Sequence, residues 1–378
     1  MTAIPRAHLV ATIDTPHPVY GLHWSADGER LALSGGYLYG RGFVGLADPS
    51  GRLVTLRDHD SLAAEPLVDG ADLILPAVCL DDRGEWLAAA ACSYKWHARG
   101  PLLFRVVDDR LVLVDAPELD EPDDARPLSG HATGVWLHRG RLFVRYRAPS
   151  LGEALRSWPT PTPTPIHADE ARAHLTNSRI TVVDDVVWIA KNLTRIYSSA
   201  GTGPPMSPGS DAFLIENPHG LAALDLRDPG AALRLTATDV EARCTALVRD
   251  RAGARLFAGL DDHRIVEWRV DARGEIAQGR AWTHPPGPRE GAVIVRGIQG
   301  LCGLADGETL VSAAHGGGVA LWRDGAAIGG FELPPPWSPR TIAAHPRAPW
   351  LAIGCKGASG HRPGAVLLYD VGAIVSRG

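Results

Sequence analysis

Apolar positions along this chain come in short bursts of strand length, with almost none of the sustained rhythm that marks an amphipathic helix. Gly, Pro, Asn, Asp or Ser cuts off most of the bursts. One pattern recurs five times, a tight turn followed by a Leu-led apolar run: Asp27-Gly28-Glu29-Arg30-Leu31, Asp82-Arg83-Gly84-Glu85-Trp86-Leu87, Ala252-Gly253-Ala254-Arg255-Leu256, Asp306-Gly307-Glu308-Thr309-Leu310 and His345-Pro346-Arg347-Ala348-Pro349-Trp350-Leu351. Each copy lies between two β-like runs, so each predicts the turn of a hairpin.

Seven hairpins follow from this reading: 19–25 with 30–36, 74–80 with 86–92, 135–138 with 141–147, 179–183 with 186–191, 245–249 with 255–259, 300–304 with 309–313, and 341–345 with 350–354. Outer strands are predicted at 43–47 and 53–56, at 319–322 and 327–333, and at 365–371. A spacing of roughly 40–60 residues between copies suits one four-stranded propeller blade per copy. The expected fold is therefore all-β: one β-propeller of seven blades, near residues 17–60, 70–117, 130–177, 178–238, 240–282, 295–333 and 338–372. The last blade lacks a fourth strand and the run 8–13 lacks a partner, so that run is expected to complete the blade and close the ring.

Two segments carry a family resemblance. The run from Phe257 through Asp261-Asp262 to Trp268 is similar to the second half of a WD repeat, and so is the run from Ser312 to Trp322-Arg323-Asp324. Gly130-His131 stands where the family's Gly-His dyad would fall, although no blade carries the complete Gly-His to Trp-Asp signature. The chain thus resembles the WD-repeat-like β-propeller (WD40-like) superfamily in a degenerate form. The resemblance implies a rigid, wide surface, and a face shared by the loops joining second to third strands and by those joining one blade to the next.

Blades three and four depart from the pattern. Residues 150–158 have a helical composition and precede Pro159-Thr160-Pro161-Thr162-Pro163-Thr164-Pro165, an extended polyproline-like run. Irregular insertions are expected at 149–174 and 192–220, the second rich in Ser, Gly and Pro. Surface loops account for both, though long loops in compact domains are often lids or contact surfaces.

Composition agrees with many short strands joined by turns, with 42 Gly and 30 Pro in 378 residues. A net charge of −5 speaks against a nucleic-acid scaffold, which needs a concentrated basic face. The first residues lack the apolar core of a secretory signal, and no stretch approaches membrane-spanning length. Five cysteines, Cys79, Cys92, Cys244, Cys302 and Cys355, are odd in number and widely spaced. They read as buried thiols of a reducing cytoplasm, and without a close pair such as C-x-x-C they assign no metal.

The second-to-third-strand loops are the longest and are locally cationic and aromatic. They hold Tyr37, Tyr39 and Arg41; Tyr94, Lys95, Trp96, His97 and Arg99; His315; and Lys356 and His361. Arg243, Arg296 and Arg340 precede three successive inner strands, where guanidinium forks would meet an oxyanion at the channel mouth. Trp96 and Trp158, in loop or insertion segments, are the aromatics expected to touch a partner. Solvated loop charges, or pairing with the acidic run 115–124, explain the same pattern without a site.

Catalytic signatures are thin. Ser359 and His361 lack the strand-to-helix context of a nucleophile elbow, and the glycine-rich run 35–42 has no following Lys-Ser/Thr, so it is no phosphate loop. His23, alternating with Leu22 and Trp24, reads as a packed, hydrogen-bonded histidine. The expected function is a cytoplasmic protein-interaction or scaffold module acting through the loop-rich face, with no cofactor. The alternative is an enzyme or binder of a small anionic ligand at the channel mouth.

Overall fold

The computed structural model describes residues 7–37, 41–68, 72–93, 98–117, 131–138, 141–148, 152–159, 180–183, 186–191, 220–225, 234–237, 244–250, 255–270, 276–285, 297–357 and 363–377. The first strand, β1 (His8–Thr15), precedes a series of antiparallel sheets. Sheet one is β2 (Val19–Trp24), β3 (Leu31–Gly35), β4 (Phe43–Ala47) and β5 (Leu53–Arg57), followed by the short helix α1 (His59–Ala63). Sheet two is β6 (Leu73–Leu80), β7 (Trp86–Ser93), β8 (Ala98–Val107) and β9 (Arg110–Asp115); sheet three is β10 (His131–His138), β11 (Arg141–Ala148) and β12 (Gly152–Pro159). Sheet four is β13 (Ile180–Val183), β14 (Val186–Lys191), β15 (Gly220–Asp225) and β16 (Arg234–Ala237). Sheet five is β17 (Cys244–Arg249), β18 (Arg255–Leu260), β19 (Arg264–Val270) and β20 (Ile276–Thr283). Sheet six is β21 (Ile298–Gly303), β22 (Thr309–Ala314), β23 (Gly318–Arg323) and β24 (Ala326–Glu332). Sheet seven is β25 (Ser338–Ala344), β26 (Trp350–Lys356) and β27 (Gly364–Asp370), with α2 (Gly372–Val375) after it.

The fourth strand of sheet seven is β1, which runs antiparallel to β27 from His8 opposite Asp370 to Thr15 opposite Gly364. The first strands of the sheets stand side by side: β2 against β6, β6 against β10, β13 against β17, β17 against β21, β21 against β25, and β25 against β2. This stacking explains the apolar pattern. Sheets covered on both faces leave no wet side, so β3, β4 and β22 are buried at every residue and read as continuous apolar runs. The outer strand β9 alternates exposed and buried, because only one of its faces is covered.

A shared turn closes the inner hairpins. The N–H of Ser25 donates to the Arg30 carbonyl, and the same bond joins Asp81 to Trp86, Asp250 to Arg255, Leu304 to Thr309 and His345 to Trp350. An acceptor side chain within the turn then takes the returning N–H: Ser25 Oγ from Arg30 at 3.0 Å, Asp81 Oδ1 from Trp86 at 2.9 Å, Asp250 Oδ1 from Arg255 at 3.0 Å, and Asp306 Oδ1 from Thr309 at 2.9 Å. Gly28, Gly84 and Gly307 occupy the left-handed step with φ of 78, 66 and 75°, which is why Gly recurs there. These local bonds are the physical content of the sequence repeat.

One expectation is corrected. Within the run 150–158, residues 152–158 are not helical: Gly152–Pro159 is β12, paired along its length with β11. Its Glu, Ala and Leu favour a helix in isolation, but pairing to the edge of β11 overrides that weak preference. Residues 160–174, and 192–219 of the second insertion, lie outside the described residues.

Candidate functional site

The sheets share two ends. At one, the inner strands begin and the second-to-third-strand loops leave; at the other lie the inner-hairpin turns. The loop-rich end has a feature not visible in the spacing. Five inner strands carry a one-residue bulge near their start, at Tyr20, Thr133, Thr245, Gln299 and Arg340, and β6 has a longer irregularity at Leu75-Pro76. A bulge leaves its residue out of the ladder and re-aims it, here at the loop-rich end of each strand.

Between sheets seven and one, these bulges help assemble a cationic and aromatic cluster. Arg340 Nη1 donates to Gln299 Oε1 at 3.5 Å and lies within electrostatic reach of Tyr20. Burial pulls the Arg340 guanidinium down from its usual range, though an arginine stays charged. Lys356, at the end of β26 opposite Ser338, is also lowered, first by burial and then by Arg340. Burial raises the Tyr20 phenol, with Arg340 acting against it. The His17 ring stands 6.4 Å from that of Tyr37, and its basicity is lowered by burial, then by Arg41 and His59. The arrangement is a partly dry, positively charged mouth.

Of the residues singled out from sequence, Arg41, Arg340 and Lys356 are thus placed at one end, with Arg41 exposed. His315 is buried, with 6% of its surface exposed, and its N–H donates to the Gly297 carbonyl, so it joins two loops rather than facing solvent. Trp158 lies on β12 opposite Leu142, beside the β10–β11 turn and away from the loop-rich end, so its assignment to an insertion loop is corrected. Trp96, His97, Arg243, Arg296 and His361 lie outside the described residues. His23 accepts the Leu80 N–H through Nδ1 at 3.1 Å, bridging sheets one and two. All five cysteines are buried, and none is in a disulfide.

The hairpin-turn end holds a cavity of about 560 Å³, formed where the turns after β2, β6, β17, β21 and β25 converge. Trp24, Phe257, Cys302 and Leu310 give it apolar walls, while Asp27 and Asp81 are among its carboxylates. Burial raises the Asp81 carboxyl above the usual range, against the N–H bonds from Trp86 and Glu85. Sequence reasoning missed this site, although its signal, the acidic repeated turn, was in view.

In sheet six, Trp322 Nε1 donates to Ser312 Oγ at 2.7 Å between neighbouring strands. In sheet five the corresponding pair is Trp268 and Ala258, and the buried Trp268 Nε1 has no hydrogen-bond partner among the described residues. Solved structures agree with the fold. The crystal structure of the Myceliophteria thermophila Cps50 (Swd1) β-propeller domain superposes with a TM-score of 0.59 at 13% identity, covering 97% of this chain and 100% of that one. Chaetomium thermophilum Raptor gives a TM-score of 0.59 at 11% identity, covering 97% of this chain and 29% of that one. This likeness shows a β-propeller fold. No family model and no curated protein matches the chain.

Proposed function

We propose that this chain is a seven-bladed propeller, its ring closed by β1, that acts as a protein-interaction module by docking an acidic segment of a partner on the loop-rich end. The observation that carries this reading is the placement of Arg340 and Lys356 at the loop-rich ends of β25 and β26, in a partly buried mouth beside Tyr20, where Arg340 disfavours the charge on Lys356. Like charges held together out of water cost stability, and an anionic partner relieves that cost. Arg41 extends the same surface, and the positions of Trp96, His97, Arg243, Arg296 and His361 in the sequence assign them to it. No helix among the described residues is long and apolar enough to cross a membrane.

Fluorescence polarisation with a labelled Glu/Asp-rich peptide tests the reading. Wild type is expected to bind with an affinity that falls as salt rises, and the R340A/K356A variant to bind at least about tenfold more weakly. Salt-insensitive binding, or equal binding by the folded variant, would overturn it. The alternative, a small-ligand binder or enzyme using an anionic substrate, draws on the Tyr20 hydroxyl and Gln299 amide beside the guanidinium. It is favoured if inorganic phosphate raises the Tm of wild type but not of the variant.

A further inference from the structure

The cavity at the hairpin-turn end belongs to no part of that reading. It lies at the opposite end of the inner strands from Arg340 and Lys356, and its chemistry is different. Its carboxylates outnumber its guanidiniums five to three. The guanidiniums are not equivalent: Arg255 is committed to Asp250 at 2.9 Å and to Asp324 at 3.3 Å, while Arg83 and Arg347 sit exposed at the rim. Asp81 is partly buried and forms no ion pair among the described residues; its Oδ1 is occupied by a backbone N–H at 2.9 Å. Asp27 likewise spends Oδ1 on the Ser25 hydroxyl and the Glu29 N–H, at 2.5 and 3.0 Å, and forms no ion pair among the described residues, with Arg347 and Arg30 within electrostatic reach.

We infer that this cavity is a second binding site, which takes a lysine or arginine side chain presented by a partner protein, with the cationic head at Asp27 and Asp81 and the alkyl stem against Trp24, Phe257 and Leu310. Long basic side chains are amphipathic in just this sense, a charge carried on a stem that prefers apolar surface. The volume is within the range of small-ligand sites and exceeds what one side chain fills, so the flanking residues of the partner enter with it. The exposed Arg83 and Arg347 at the rim meet those flanking backbone carbonyls. A free anion is disfavoured inside by the carboxylates.

Gly303 gives a clean way to close the site. It lines the cavity, its backbone lies outside the left-handed region, and a Cβ placed on it meets nothing within 4 Å. A Cβ therefore fits there and Gly303→Leu adds apolar bulk to the cavity lining, while Asp81→Asn removes the charge and keeps an oxygen for the Trp86 N–H. Calorimetric titration of the full chain with hexapeptides centred on arginine, lysine, norleucine or glutamate, at up to millimolar peptide, reads the result. The expected outcome is heat from the arginine or lysine peptide alone, weakened at least about tenfold by either variant and unchanged by R340A/K356A. No heat from either basic peptide, or binding that survives both Gly303→Leu and Asp81→Asn, would overturn the inference. Butylamine or agmatine binding as tightly as the peptides would also overturn it, by placing a free amine rather than a protein segment in the cavity. Loss of acidic-peptide binding in R340A/K356A bears only on the loop-rich end, so the two readings fail separately.

Discussion

His345 Nε2 lies 3.1 Å from the carbonyl oxygen of Gly28, joining the turn that follows β25 to the turn that follows β2. The other ring nitrogen, Nδ1, accepts the N–H groups of Arg347 and Ala348 at 3.1 and 3.0 Å, which fixes the neutral tautomer with its proton on Nε2. Trp24 and Trp350 pack on the ring edge-on, at 4.8 and 5.7 Å. One imidazole thus organises its own turn and ties the last sheet to the first.

Gly28 has no room for a side chain. A Cβ there would fall 2.3 Å from His345 Nε2, and the φ of 78° is strained for any other residue. Gly28→Ala is expected to cost about 2–4 kcal/mol, more than the usual Gly-to-Ala change, since strain and clash add. Urea denaturation monitored by tryptophan fluorescence measures it, and His345→Ala in the same background should recover part of the clash.

The same imidazole makes stability depend on pH. Burial lowers the His345 pKa below its ordinary value of 6.5, with the Gly28 carbonyl, Glu29 and Asp27 acting against it and Arg347 with it. The unfolded chain then binds the proton more readily. The contribution is fully present above about pH 6.5 and is lost as pH falls through the lower folded value. His17 is lowered in the same direction. Denaturation midpoints of wild type should fall between about pH 7 and 5, and His345→Asn combined with His17→Asn should flatten that part of the profile.

The buried Trp268 indole can be given the acceptor it lacks. Ala258 holds the place in sheet five that Ser312 holds in sheet six. Ala258→Ser is expected to stabilise the protein by about 0.5–1.5 kcal/mol, while Ser312→Ala, which strands the Trp322 N–H, should cost about 1–3 kcal/mol. Thermal unfolding of the two variants gives opposite shifts in Tm.

Lys356 predicts a trade between stability and binding. With burial and Arg340 both lowering its pKa, the charged form is less favoured folded than unfolded at neutral pH. Lys356→Met should therefore leave stability unchanged or raise it, by less than about 1 kcal/mol, while weakening acidic-peptide binding.

The inner hairpins were legible in the sequence because their turns are locally encoded: Asp81 and Trp86, or Asp306 and Thr309, settle the geometry within a few residues. The β1–β27 pairing was legible because an unmatched run and an incomplete sheet imply each other. β12 was misread because composition over 150–158 describes an isolated segment, whereas its conformation is set by pairing with β11. Lys356 reads as a loop cation and Arg340 as an arginine just before an inner strand, but Arg340 sits at a bulge within β25 that no spacing reveals. The cavity needed turns from five sheets at once, and the link from His345 to Gly28 spans 317 positions.

Sheet seven also sets an order of events. Because β1 is its outermost strand and β27 lies between β1 and β26, residues 8–15 cannot take their native place until residue 370 has left the ribosome. Until then this strand lacks its native partner, and its apolar Leu9, Val10 and Ile13 are available to wrong ones. The β1–β27 seam is therefore made late, and it is where a nascent copy is most exposed to exchanging strands with its neighbour.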